Sequence, residues 1–249
     1  MEKVKPEEFG YYIEYAERCT ANRVYPLSVA AGIQKGEIFT DGFGVLFWHY
    51  CGFAYIAGEV REGFLEDIYR HFLMNGTGRK FLLITDSEAV TDHYASYDTL
   101  QFSRRIEYVH SGRIQCPAVQ DEGFIIERIT ADNIACIRGR IIPSFSWDSS
   151  RAFLEKGYGF LARKGDSFAA AAFSAAVSPD EIDIGAETCE DCRHKGLAAY
   201  LSSRMCEEII RQGRKPVWAH AETNEGSHRT AVRAGFTADR INTVIRRKA

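Results

Sequence analysis

The 249-residue chain has no apolar run long enough to span a bilayer. Its longest such stretch, "SFAAAAFSAAV" at 167–177, falls well short of the roughly 20 residues a membrane helix needs. A signal-peptide core is also missing. The first residues, "MEKVKPEEFGYYIEYAERC", are charged and amphipathic, so no leader is expected. Proline is scarce at six residues and no segment is of low complexity, which argues against disorder. Charge of one sign is not in excess. A net charge of -3 gives no global attraction to nucleic acid or to an acidic membrane surface. Seven cysteines, an odd number, are scattered, which suits reduced thiols in a cytoplasm better than a disulfide framework. Cys189 and Cys192 form a lone CxxC, without the second pair or spaced histidines that zinc wants. No metal is expected, and the two read as ordinary loop thiols. Asn75 opens an "NGT" triplet that would matter only in a secreted chain.

What is present is ordinary globular composition, 45% hydrophobic and 26% charged, over a length comfortable for two domains. The C-terminal half reads as strand, two helices, three strands, helix, strand, helix and two final strands. That makes one α/β domain over 122–249, with an N-terminal α+β domain over 1–121. Within it "EIDIGAET" (181–188) alternates as a strand does. The following segment places Leu197, Leu201, Met205 and Ile209 on one helical stripe. The N-terminal half holds a fainter echo. Helix, "GRK", strand, helix and strand recur over 71–109 and again over 206–244, which suggests an internal duplication. The aromatic-rich "DGFGVLFWHYCGFAYIAGE" (41–59) reads as sheet core.

Between the strand and the helix stands "RHKGLA", with Arg193, His194 and Lys195 directly before Gly196, Leu197 and Ala198. A helix N-terminus exposes unpaired N–H groups and partial positive charge. Glycine admits a ligand close to the backbone, and the two cations add full charge. The combination points to a small anion such as a phosphate. Neither GxxxxGK[ST] nor GxGxxG is present. The N-terminal counterpart, "GEVREGFL" (58–65), mixes acids among its charges and reads as a copy that has lost the anion site.

The six residues Arg193 to Ala198 resemble the [Q/R]xxGx[G/A] signature of the GCN5-related N-acetyltransferase (GNAT) family. "NEGSHRTAVRAGF", with Asn224, Ser227, Gly235 and Phe236, is similar to the family's second signature. The likeness covers roughly 120–249. The "SFSW" and "GYGF" segments add a resemblance to the subgroup that includes the resistance acetyltransferase for zwittermicin A. The resemblance implies acetyl-CoA as acyl donor, a mixed and mostly antiparallel sheet flanked by helices, and a degenerate GNAT-like N-terminal domain. By the same carry-over Arg193, His194, Lys195, Gly196, Leu197 and Ala198 would hold the pyrophosphate. The backbone of Ala186, Glu187 and Thr188 would pair with the pantetheine arm, and Asn224 and Ser227 would touch it.

Transfer to a primary amine needs a neutral amine, a donor for charge on the thioester oxygen, and a proton for the leaving thiolate. Glu187 is the first candidate base, with His220 and Glu222 second. Phe145 and Trp147 fall where the acceptor would be walled, although a tryptophan there serves equally as a core anchor. One departure matters. Many family members carry a tyrosine four residues before the Gly-Phe glycine, and this chain has Ala231. The expected function is N-acetyl transfer to a small-molecule amine in the cytoplasm, with no nucleic acid or membrane partner and a homodimer as an admissible assembly. A non-catalytic CoA-binding sensor or regulatory module is the alternative.

Overall fold

The computed structural model describes residues 1–74, 78–121 and 123–248. The "NGT" triplet at Asn75 lies outside the described residues. The chain divides into two compact units, Met1–Ile106 with the segment from Arg240 onward, and Glu107–Asp239.

The first unit runs β1 (Glu2–Lys3), α1 (Ile13–Glu17), α2 (Val24–Ala30), β2 (Gly36–Thr40), β3 (Gly44–His49), β4 (Phe53–Gly58), α3 (Glu62–Ile68), β5 (Leu82–Thr85) and α4 (Glu88–Ala95), and ends within β6 (Leu100–His110). Strands β1 to β4 pair antiparallel in sequence order, and β4 meets β5 in parallel through Phe53 with Leu82 and Ala54 with Leu83. The aromatic-rich segment is sheet core, as its continuous apolar run requires. All six residues of β3 are buried, and Leu46 and Trp48 join Phe64, Ile68 and Leu73 in one cluster.

The second unit continues with β7 (Ile125–Arg128), α5 (Ser150–Lys156), β8 (Gly159–Lys164), β9 (Ser167–Val177), β10 (Glu181–Thr188), α6 (Leu197–Arg211), β11 (Lys215–Ala221) and α7 (Glu225–Arg233). The last strand, β12 (Phe236–Arg247), begins here and ends in the first unit, where Thr243, Val244 and Ile245 pair with β5. In this unit the strand order is β6-β11-β10-β9-β8-β7. Helix α6 lies on the sheet with Leu197, Leu201, Met205 and Ile209 buried, the stripe read from the sequence. The small residues of β9 suit close packing on the sheet: Ala169 to Ala172 are all buried and alternate between its two faces.

Two expected elements differ. The segment after β7 is a 3-10 turn at Ile134–Cys136 instead of a helix. Asn133 takes the N–H of Thr130 on its side-chain oxygen and gives its amide to the Arg128 carbonyl, so local side-chain bonds replace a helical ladder. The two expected final strands are one, because no described residue from Phe236 to Arg247 has the positive φ a tight hairpin needs. The echo between halves does appear. Strand β5, helix α4 and strand β6 repeat in the order β11, α7 and β12. Each set opens on the second strand of a parallel pair, β4 with β5 and β10 with β11.

His49 ends β3 fully buried, its Nδ1 3.1 Å from the Cys51 sulfur and its ring edge-on to Tyr25. Burial lowers its pKa to about 3, with the Arg79 charge adding to the effect. A folded value below the unfolded one means the unfolded chain binds the extra proton between about pH 6.5 and pH 3, so stability falls as pH falls through that window. His49→Asn should flatten the acid slope by up to ~1.4 kcal/mol per pH unit, read by urea unfolding between pH 7 and pH 4. An identical slope in both proteins would place the lost stability elsewhere.

Candidate active site

The site begins where two parallel strands part. β10 and β11 pair only through Glu181 with Lys215, Ile182 with Pro216 and Asp183 with Val217. On its other edge β10 stays paired with β9 as far as Thr188, with a register shift between Asp183 and Ile184. Beyond the fork, the β11-facing edge of Ile184 to Thr188 has no ladder partner on that strand. Backbone groups seek partners, so an extended chain with its own amides fits there. Ala186, Glu187 and Thr188 are half-buried along this edge.

Cys189, Glu190, Asp191 and Cys192 turn the chain, with the Cys192 N–H donating to the Cys189 carbonyl at 3.1 Å. The Cys192 thiol is pushed up in pKa by burial and then by the neighbouring Cys189 thiol. His194 and Gly196 then both take left-handed backbone, φ 65° and 86°. Such turns aim successive N–H groups to one side, and here they lead into the first turn of α6. Leu197 is buried in the core, so only its backbone can serve a ligand, while Ala198 is half-buried. Arg193 is exposed, its guanidinium 4.0 Å from the Glu190 carboxylate, and His194 is exposed.

A wall of the loop was invisible in the sequence. The segment before β7 crosses it, with the Gln120 N–H donating to the Lys195 carbonyl at 2.9 Å and the Ser203 hydroxyl donating to the Gln115 carbonyl. Asp121 accepts from both Lys195 and Lys164 at 3.1 Å, which holds its carboxyl below the usual range and raises Lys195. Both ammonium groups also lie over the Phe124 ring. A Cβ on Gly196 would stand 2.5 Å from the Ala118 carbonyl oxygen.

The remaining expected residues separate. Glu187 accepts from the backbone N–H groups of Arg140 at 3.0 Å and Ile141 at 2.8 Å, so its carboxylate anchors the loop at 139–141. Trp147 is buried and donates its indole N–H to the Ser174 carbonyl at 2.8 Å, the arrangement of a core anchor. Phe145 is half-buried in a 3-10 turn at Pro143–Phe145. Asn224 caps α7 by accepting the Ser227 N–H at 3.1 Å, and the Ser227 hydroxyl accepts from the Trp218 indole at 3.1 Å. Glu222 follows the end of β11 and is half-buried.

His220 is buried, and its partners are residues the sequence reading did not single out. Its Nε2 lies 2.9 Å from the Tyr108 hydroxyl, which lies 2.7 Å from Nδ1 of His228. Tyr108 comes from β6, far away in sequence. His228 stands four residues after Asn224 on α7, a spacing that could have flagged it as sharing a helix face with the cap. Burial, with the Glu225 charge second, raises the Tyr108 phenol. Among the described residues no group of three or more His, Cys, Asp or Glu could hold a metal ion, and no helix is long and apolar enough to cross a membrane.

Gly196→Ala should lower stability by about 1–3 kcal/mol, because alanine is strained at this φ and its methyl meets the Ala118 carbonyl. Urea unfolding checks it. An unchanged midpoint would mean that residues 113–121 do not lie across the loop in solution.

A family model described as GNAT acetyltransferase matches residues 21–245. No curated protein sequence matches the chain. Several solved structures share its fold. A GCN5-related N-acetyltransferase-like protein from Streptococcus suis is 17% identical, with 98% of this chain and 100% of that one covered at a TM-score of 0.74. A GCN5-related N-acetyltransferase from Kribbella flavida is 14% identical, covering 92% and 95% at 0.65. A tandem GNAT protein from the clavulanic acid biosynthesis pathway is 12% identical, covering 98% and 97% at 0.61. With the forked strands and the glycine-opened helix between them, the match across both halves gives the identity: this chain belongs to the GNAT acetyltransferase family.

Proposed function

We propose that this protein transfers an acetyl group from acetyl-CoA to a primary amine of a small molecule. The observation that carries the reading is the fork between β10 and β11, which opens directly toward the left-handed loop at His194 and Gly196. The residues present fit such a donor. The free edge of Ala186, Glu187 and Thr188 matches an amide-bearing arm. The N–H groups from Arg193 to Ala198, with the charges of Arg193 and Lys195, match a pyrophosphate. Asn224 and Ser227 lie at the start of α7, following β11 on the other side of the fork.

When bound, acetyl-CoA supplies the activated acyl group, and the chain's own residues do the rest. Backbone N–H groups along the fork would hold the thioester oxygen as it gains charge. Glu187 would fix the loop at 139–141 through the two bonds that its Oε2 accepts, and proton handling would fall to its other oxygen, to the residues around His220 or to Glu222. Phe145 would contribute an apolar surface to the acceptor site. The described cysteines are all free thiols, consistent with a cytoplasmic setting.

Acetyl-CoA at ~100 times its dissociation constant should stabilise the protein by about 2.7 kcal/mol, read as a rise in Tm that ATP does not reproduce. Gly196→Glu should abolish the rise. Equal shifts with ATP would redirect the site to another phosphate ligand. Ala231 in place of the family tyrosine favours a second reading, a CoA-binding module without turnover. CoA thiol release with a panel of primary amines separates the two: release supports transfer, and binding without release supports the module.

A further inference from the structure

We propose that Nε2 of His228 takes the proton of the acceptor amine, and that Tyr108 and His220 hold its ring in the tautomer that leaves this nitrogen able to accept. The proposal rests on the acetyl-transfer reading. It starts from one carbonyl. His220 Nδ1 lies 2.8 Å from the Ala221 oxygen, which can only accept, so Nδ1 carries the hydrogen. In the neutral ring Nε2 then holds a lone pair, and the Tyr108 hydroxyl 2.9 Å away must donate to it. A phenol has a single hydrogen. Toward His228 Nδ1, at 2.7 Å, Tyr108 can therefore only accept, and that nitrogen carries a hydrogen too. The remaining nitrogen of a neutral His228, Nε2, is left as the proton acceptor.

His228 stands on the helix that follows β11, the second arm of the fork. Asn224, His228 and Ala231 are spaced by four and three residues along α7 and so share one helix face. Ala231 is buried and stands where many family members carry the tyrosine. Tyr108 brings a phenol to the same helix from β6, one turn away, and His228 is exposed at the surface. The step balances simply. As the amine lone pair forms the N–C bond, the acyl C–S bond would break and CoA would leave as a thiolate that takes a proton from solvent, while the amine's own proton would pass to His228 Nε2, and the resulting imidazolium would keep its Nδ1–H bond to Tyr108. His228 would be the catalytic residue, with Tyr108 and His220 positioning it. Among the described residues, the titratable and charged groups around this chain include Tyr108 of β6, His220 of β11, and Glu225 of α7, which acts on Tyr108 and pairs with Arg229.

Ring-nitrogen NMR of the cofactor-free protein near pH 7.5 reads the tautomers without any turnover. Both His220 and His228 should show Nδ1–H, and Tyr108→Phe should remove the single tautomer at His228. An Nε2–H signal at His228 in the wild type would overturn the proposal. CoA thiol release, with the best amine of a panel or with water as acceptor, then tests the chemistry. His228→Gln should lower kcat by about 10²–10⁴-fold and abolish the acidic limb of its pH profile, with acetyl-CoA affinity unchanged. Tyr108→Phe should lower kcat and move that limb while KM for acetyl-CoA holds. A wild-type profile in His228→Gln, with acetyl-CoA still bound, would sink this assignment alone. Failure of the wild type to bind acetyl-CoA would instead sink the acetyl-transfer reading beneath it.

Discussion

The site depends on the parting of β10 from β11. Three paired residues tie the strands at their starts, and a parallel pair so short is weakly held by itself. What keeps the fork open yet rigid is the opposite edge of β10, which β9 pairs as far as Thr188. The strand is thus fixed on one side and free on the other. Helix α6 must connect the two arms, so the loop from Cys189 to Gly196 has to come at the mouth of the fork. Its cations and its two left-handed residues are consequently placed where the open strand edge ends.

Each half of the chain has this ground plan, and that sharpens what the loop contributes. β4 and β5 are parallel over only two residue pairs and are joined through α3, as β10 and β11 are joined through α6. The loop that opens α3 is different. Arg61 is bonded to Glu59 at 2.9 Å and stacks on Phe43, so that cation is already engaged. A shared fold can thus carry different loop chemistry in its two halves. The N-terminal unit instead spends its aromatic residues on a dense core around Trp48, Phe72 and Phe81.

The parts of the site legible in the sequence were those written in consecutive residues. Arg193 to Gly196 could be read because charge, glycine and helix onset are local, and Leu197 to Ile209 because a helix repeats. Asn224 was legible only as part of the second signature, and its cap role emerges from the structure. Tyr108, Asp121 and Ala118 were not, since their roles arise from chain crossings with no periodic signal. Glu187 shows the limit from the other side. Its place at the end of β10 was readable, but its two bonds to the backbone at Arg140 and Ile141 depend on an irregular loop that propensity does not specify. Trp147 was poised between wall and core, and burial with a partner for its N–H places it in the core.

An acid beside an anion loop needs its own reason. Lys164 and Lys195 approach the same Asp121 oxygen, and two ammonium groups that close would repel without it. Asp121 gathers them and, through the Gln120 N–H on the Lys195 carbonyl, its segment also fixes the loop backbone. The pairing is nevertheless loose. All three side chains are about one-third exposed or more, and ion pairs at such a surface contribute about 0–1 kcal/mol. If the loop takes the proposed pyrophosphate, several N–H groups and its charge would compete with one solvated carboxylate for Lys195. Asp121 thus holds the charge of the loop through pairs weak enough that a bound anion would reverse them. Lys164, held by the same oxygen, would keep that carboxylate neutralised once Lys195 turned away.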